Sequence, residues 1–89
     1  MKILVVDDDA RIRQMTADAL RDHGHDVAEA DGGEAALAVL DEEFALVLTD
    51  VQMPCMTGPE LADVAQERFP GLLIRFMSAD TGTIPFDAF

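Results

Sequence analysis

Residues 47–54 read VLTDVQMP and place an acid at the end of an apolar run. The run begins at residue 45 (ALVLT, residues 45–49) and predicts a short strand buried on both faces. A charged carboxylate is costly inside such a strand, so Asp50 is expected where the chain leaves the core. Pro54 and its neighbours predict a loop over residues 53–58.

The rest of the chain alternates between short apolar runs and segments with helical spacing. Strands are predicted at residues 2–6 (KILVV), 26–30 (DVAEA), 45–49 and 72–77 (LLIRFM), and helices at residues 10–23, 34–42 and 59–69. This alternation is typical of the α/β class, a doubly wound parallel sheet with helices on both faces. No repeat or linker interrupts it, so residues 1–89 are expected to form a single domain.

The helical spacing also predicts which residues face the core. The expected inward residues are Ile12, Met15, Ala19 and Leu20 in the first helix, and Ala36, Leu37 and Leu40 in the second. Asp8 or Asp9 can cap the first helix, with Asp9 the stronger candidate, and Gly24 can end it.

Composition excludes several classes of function. The chain has 89 residues, is 49% apolar and carries a formal net charge of −12. Direct nucleic-acid binding is not expected, because phosphates would be repelled by that charge. No apolar run is long enough to cross a membrane, and no signal peptide is apparent, so we expect a cytoplasmic protein.

Three of the four predicted strands end in, or lead directly into, oxygen-bearing residues. These residues are Asp7-Asp8-Asp9, Thr49-Asp50 and Ser78-Ala79-Asp80. Parallel strands place their carboxyl ends at one edge of the sheet, where ligands bind. If the first and third strands are neighbours, Asp7, Asp8 and Asp50 converge there. Clustered carboxylates repel one another unless a cation neutralises them, and the all-oxygen donor set favours Mg²⁺.

Such a site has a defined chemistry. An aspartate carboxylate can attack phosphorus and form an acyl phosphate. A bound Mg²⁺ would screen the phosphoryl oxygens, and a hydroxyl such as that of Ser78 could donate a hydrogen bond to one of them.

The sequence resembles the receiver domain of two-component response regulators. The matching segments are Val5-Val6-Asp7-Asp8, Leu48 to Pro54 with Met56-Thr57-Gly58, and Met77-Ser78-Ala79. They occur in the family's order and spacing from Ile3 to about Ala79. The resemblance implies a flavodoxin-like three-layer sandwich with strand order 2-1-3-4-5.

The resemblance also implies a role for each residue of the site. Asp50 would accept a phosphoryl group from a histidine kinase or a phosphotransfer protein. Asp8 and Asp50 would bind Mg²⁺ directly, Asp7 through water, and Gln52 through its backbone carbonyl. Ser78 would be the switch hydroxyl, and Ala79, Pro54 and Gly58 would shape the loops around the phosphate. The domain would support its own phosphorylation and dephosphorylation without being an enzyme in the usual sense.

The chain departs from the family pattern in two places. Cys55 and Thr57 replace the third and fifth residues of the usual loop Met-Pro-Gly-Met-Asp-Gly. No counterpart of the fourth helix, fifth strand or fifth helix is apparent, and no counterpart of the phosphate-contacting lysine is found; Lys2 is the only lysine. We expect that the chain is truncated and that its fifth strand is missing; the alternative is a naturally short domain with Ile84 at the lysine position. In either case strand four would be an open edge, which predicts a homodimer or a domain swap.

Two other functions stay open on sequence alone. A receiver fold without the lysine could be an interaction module that works independently of phosphorylation. A Mg²⁺-dependent phosphohydrolase using Asp50 is disfavoured, because that class needs an acid two residues after its nucleophile, where Gln52 stands.

Overall fold

The computed structural model describes residues 1–77. Its elements are β1 (Lys2–Val6), α1 (Ala10–Asp22), β2 (Asp26–Ala30), α2 (Gly33–Val39), β3 (Leu46–Asp50), α3 (Gly58–Arg68) and β4 (Leu73–Met77). Three residues with predicted roles, Ser78, Ala79 and Ile84, lie outside the described part of the chain.

The four strands form one parallel sheet in the order β2-β1-β3-β4. The fold class and the order of these four strands are confirmed. Alternate residues of β1 point to opposite faces: Leu4 and Val6 pack with α2 and α3, whereas Ile3 and Val5 pack with α1. The sheet is therefore the middle layer of three, and β1 and β3 lie side by side at its centre.

Both ends of α1 follow from local chemistry. Asp9 is the N-cap, and its carboxylate accepts hydrogen bonds from the amides of Arg11 and Ile12. At the other end Gly24 adopts a positive φ of 89°. The amides of Gly24 and His25 then bond back to the carbonyls of Arg21 and Leu20, a Schellman motif that only a residue tolerant of positive φ makes easily.

The predicted inward face of α1 is wrong at Met15, which is 66% exposed. The buried residues are Thr16, Ala17 and Leu20. The helix therefore turns Thr16, Ala17 and Leu20 towards the sheet, and Met15 is left at the surface. The periodicity predicted the helix and its approximate length, but it did not predict which side of the helix faces the sheet.

The second helix is shorter than predicted, since it ends at Val39 rather than at residue 42. Leu40 is already extended, with ψ of 136°, although its side chain is buried as expected. Asp41 explains the early end, because its carboxylate accepts the amide of Glu43 and forms a turn that competes with the helix.

β4 is one of the two edge strands of the described sheet. Leu73 and Phe76 on it are 50% and 48% exposed. The predicted association of two chains through this edge stays a prediction. Within residues 1–77, no helix has the length and apolar character that a membrane span requires.

Candidate functional site: an acidic pocket at the carboxyl edge of the sheet

The pocket is built by two adjacent strands that end together. Val6 of β1 is in register with Thr49 of β3. Asp7, the first residue after β1, therefore lies beside Asp50, the last residue of β3. Asp8 follows Asp7, and one carboxylate oxygen from each of the three acids lies within 4.8 Å of the others. Asp7 and Asp50 are buried and Asp8 is exposed, so the cluster opens to solvent on one side.

Asp7 is held by hydrogen bonds to β2, to α1 and to the turn between β1 and α1. Its amide donates to the carbonyl of Ala30 at the end of β2 (3.1 Å). Its Oδ1 accepts the amide of Asp9 (2.9 Å), and its carbonyl accepts Nη1 of Arg13 from α1 (2.7 Å). The turn that carries Asp7 and Asp8 is therefore fixed in place before any ligand binds.

Burial raises the pKa of Asp7 above its usual value. The carboxylates of Asp50 and Asp8 raise this pKa further, and the hydrogen bond from the Asp9 amide partly opposes the effect. Removing water and adding like charges both disfavour the ionised form. A cation among the three acids would relieve this repulsion, so the pocket is electrostatically prepared for one.

Asp50 rests on the first turn of α3. The amide of Gly58 donates to the carbonyl of Val51 (2.9 Å), and the Cα of Gly58 lies against the carbonyl of Asp50. The hydroxyl of Thr49, which is fully buried, also donates to the Asp50 carbonyl (3.0 Å). The main chain of Asp50 is thus constrained from two sides. Because the main chain is fixed, the position from which the Asp50 side chain projects is fixed as well.

The loop between β3 and α3 flanks the pocket. Gln52 and Pro54 are exposed, and Met53 is buried under the loop. Cys55 is exposed and has a positive φ of 71°, at the position where the family pattern has glycine. Met56 packs on Gly33 at the start of α2, which ties the loop to the neighbouring helix.

A capping box, which the sequence reading missed, starts α3. The hydroxyl of Thr57 accepts the amide of Glu60, and the carboxylate of Glu60 accepts the amide of Thr57. The signal was present, since Thr-Gly-Pro-Glu has the Ser/Thr-x-x-Glu spacing. Arg13 was also missed, and no local pattern could have shown it, because its partners come from other elements.

Lys2 lies at the opposite end of β1 from the pocket. Its ammonium is 3.3 Å from a carboxylate oxygen of Glu43 and 3.8 Å from one of Asp41, and it sits 4.4 Å from the centre of the Phe44 ring. This lysine therefore contacts residues of the loop before β3 and lies away from the acidic pocket.

The structure brings together Asp7, Asp8 and Asp50 among the predicted site residues. It places Gln52, Pro54 and Gly58 in or at the end of the adjoining loop. Such a pocket can hold a hard cation through oxygen ligands and can present one carboxylate, on Asp50, as a nucleophile.

The fold is a parallel α/β sandwich, and three acids cluster where its two central strands end. Together these features define a class of domain that has an acidic pocket at the carboxyl edge of the sheet. The sequence pattern of the response regulator receiver domain matches residues 3–85. The chain belongs to this family, whose members are the receiver domains of two-component signalling.

Individual relatives agree with this assignment. The response regulator protein FleR of Pseudomonas aeruginosa is 42% identical over 79 residues, which are 88% of this chain and 17% of FleR. The chain therefore spans only a small part of that relative. The chemotaxis protein CheY4 of Vibrio cholerae has a similar structure, with a TM-score of 0.83 and 34% identity over 98% of this chain and 73% of that one.

TrrA of Thermotoga maritima is similar in two solved structures. The first, a complex of TrrA with Mg²⁺ and BeF, gives a TM-score of 0.76 and 32% identity over 82% of this chain and 64% of that one. The second, a complex of TrrA with the histidine kinase ThkA, gives a TM-score of 0.77 and 30% identity over 88% of this chain and 68% of that one.

Proposed function

We propose that this domain is a phosphoacceptor, which takes a phosphoryl group onto Asp50 from a histidine kinase or a phosphotransfer protein, with Mg²⁺ as cofactor. The observation that carries the proposal is the convergence of Asp7, Asp8 and Asp50, with one oxygen of each within 4.8 Å of the others. TrrA, a relative of this chain, has been solved both with Mg²⁺ and BeF and with a histidine kinase, which supports the same cofactor and class of partner here.

The donor set of the pocket fits Mg²⁺. Asp8 and Asp50 would be direct ligands, Asp7 would act through water, and the backbone carbonyl of Gln52 would complete the protein's share. Few carboxylates with room for water describe Mg²⁺ better than a full calcium cage. When bound, the ion would neutralise the carboxylates and the phosphoryl oxygens that approach them.

The nucleophile of the transfer is the Asp50 carboxylate. Its oxygen attacks the phosphorus, an O–P bond forms, and the bond from phosphorus to the donor breaks, leaving an acyl phosphate on Asp50. Thr49 and Gly58 hold the main chain of Asp50 while this happens. Ser78, as the switch hydroxyl, would then donate to a phosphoryl oxygen, with Ala79 and Pro54 shaping the adjoining loops.

Phosphohydrolase activity is not proposed. The residue two positions after Asp50 is Gln52, which is exposed and cannot act as a general acid. In this proposal the acyl phosphate on Asp50 is the signalling state, and its hydrolysis resets the domain.

The test is phosphorylation by a small acyl phosphate in the presence of Mg²⁺, read by intact mass. We expect one added phosphoryl group on the unmutated protein, none on Asp50→Asn, and none when Mg²⁺ is removed with EDTA. Absence of an adduct on the folded, unmutated protein would refute the proposal and favour an interaction module that works without phosphorylation.

A further inference from the structure

Two arginines of α1 form ion pairs with one glutamate of β2. Nε of Arg13 lies 3.5 Å from Oε1 of Glu29, and Nη2 of Arg21 lies 3.2 Å from Oε2 of the same side chain. Arg13 and Glu29 are largely buried, with side chains 17% and 26% exposed. Each oxygen of Glu29 thus has its own arginine, and the three side chains fasten α1 to the sheet.

The two arginines differ in the backbone carbonyl that each one also binds. Arg21 donates to the carbonyl of Val27, within β2 and remote from the acidic pocket (2.9 Å). Arg13 donates to the carbonyl of Asp7, at the pocket itself (2.7 Å). A guanidinium can serve both partners at once because its donors form a rigid, planar fork.

We propose that Arg13 is a positioning residue for the acidic pocket, and that its bond to the Asp7 carbonyl sets the cation affinity of the site. The inference rests on the proposed function, since it assigns Arg13 to the same Mg²⁺ site. The Asp7 carbonyl belongs to the peptide that leads directly into Asp8. Fixing this peptide fixes the direction in which the exposed Asp8 carboxylate leaves the turn.

The bond is well placed to have this effect. The amide of Asp7 and its Oδ1 are already bonded to Ala30 and Asp9, which hold the Asp7 side of the turn. The carbonyl of Asp7 is the remaining main-chain polar group, and Arg13 binds it from a helix that is itself anchored through Glu29. Residues that orient metal ligands from behind commonly change affinity by about 10–100-fold when they are removed.

Charge alone predicts the opposite outcome. A guanidinium beside a cation site repels the cation, so its removal would strengthen Mg²⁺ binding if electrostatics were its only influence. A positioning role predicts weaker binding on removal. The sign of the change in Kd therefore separates the two effects.

The experiment compares Arg13→Met with Arg21→Met in the full 89-residue chain. Both variants lose one charge, one ion pair with Glu29 and one hydrogen bond to a backbone carbonyl. Arg21→Met also loses an ion pair with the exposed Asp18 (3.3 Å), and only Arg13→Met removes a contact to the pocket. The Mg²⁺ Kd is measured by titration calorimetry, since the chain has no tryptophan or tyrosine for intrinsic fluorescence. Thermal unfolding in EDTA, measured on each variant, records the loss of stability separately.

We expect Arg13→Met to raise the Kd about 10-fold and Arg21→Met to leave it within about twofold of the unmutated value. Phosphorylation of the Arg13 variant should need a correspondingly higher Mg²⁺ concentration yet approach the normal rate at saturation. Arg13→Lys keeps the positive charge but lacks the planar guanidinium, so it should show a smaller rise in Kd. This variant replaces Arg13→Met in the experiment if the methionine variant unfolds.

An unchanged or lower Kd in both Arg13 variants would overturn the positioning role. An equal rise in Kd for Arg21→Met would overturn it too, because the effect would then come from helix docking in general. If the unmutated protein binds no Mg²⁺, the proposed function fails and this inference fails with it. If that protein binds Mg²⁺ and Arg13 has no influence, only the inference fails.

Discussion

Gly58 lies so close to Asp50 that a side-chain carbon at residue 58 would overlap the Asp50 carbonyl oxygen. The added carbon would also lie 3.1 Å from the Cα of Val51. Both neighbours are main-chain atoms, which cannot rotate away as the end of a side chain could. The absence of a side chain at the start of α3 is therefore what allows the helix to support the strand end that presents Asp50.

Replacing Gly58 with alanine should destabilise the domain by about 1–3 kcal/mol, because backbone atoms must move to accept the new methyl group. Gly71→Ala is the matched control, since no atom lies within 4 Å of a carbon added there and its φ is not positive. Chemical denaturation measures both changes. An alanine at residue 58 that is as harmless as one at residue 71 would show that the close approach to Asp50 is not real.

Cys55 carries a backbone cost that glycine would remove. Its φ of 71° lies in the left-handed region, which costs a residue with a side chain about 1–2 kcal/mol. Glycine would remove this cost, but its greater flexibility in the unfolded chain would offset about 0.5–1 kcal/mol of the stabilisation. Cys55→Gly should therefore stabilise the domain by about 0.5 kcal/mol net.

Cys55→Ala is the control, because alanine removes the thiol and keeps the strained φ. It should give no gain in the free energy of unfolding. If alanine stabilises residue 55 as much as glycine does, the gain comes from losing the thiol, and the backbone explanation is wrong.

The capping box of α3 should respond to the chemistry of its first residue. Thr57→Ala removes the oxygen that accepts the Glu60 amide and should cost about 1 kcal/mol of unfolding free energy. Thr57→Asp, which restores the residue usual in the family, keeps an acceptor and should cost little. Equal losses in both variants, measured by thermal unfolding, would mean that the threonine acts through packing instead of through its hydrogen bond.

Much of this architecture could be read from the sequence, because strand ends and acids leave a local signature. Asp50 after ALVLT and Asp7-Asp8 after KILVV are visible without a structure, and parallel pairing then brings them together. The side of α1 that leaves Met15 exposed could not be predicted, since tertiary packing decides which of the neighbouring apolar positions faces the sheet. The bond from Arg13 to Asp7 was equally hidden, because it joins a helix to a strand end.

Asp7 should make the cation-free domain less stable as the pH rises. Its pKa is raised in the folded protein, so the folded state holds a proton over a range where the unfolded state has lost it. The contribution of Asp7 to stability therefore falls as the pH rises from about the usual value of 3.8 through the raised pKa, and it changes no further above that pKa. Asp7→Asn keeps an oxygen acceptor for the Asp9 amide and removes the charge.

In EDTA at neutral pH, Asp7→Asn should be more stable than the unmutated protein, and the difference should vanish below the usual carboxyl pKa. Added Mg²⁺ should reverse the order, since a ligand at ten times its Kd stabilises by about 1.4 kcal/mol and the variant binds it more weakly. Denaturation curves across pH, with and without Mg²⁺, measure both effects. A variant that is less stable than the parent in EDTA would contradict the electrostatic account of the pocket.

The central claim is that Asp50 carries the phosphoryl group. Borohydride reduces an acyl phosphate on aspartate to homoserine, which marks the modified residue permanently. After treatment with a phosphodonor and Mg²⁺, followed by reduction and peptide mass spectrometry, we expect homoserine at residue 50 and unmodified aspartate at residues 7 and 8. Homoserine at another acid, or at none while the protein remains folded, would contradict the account.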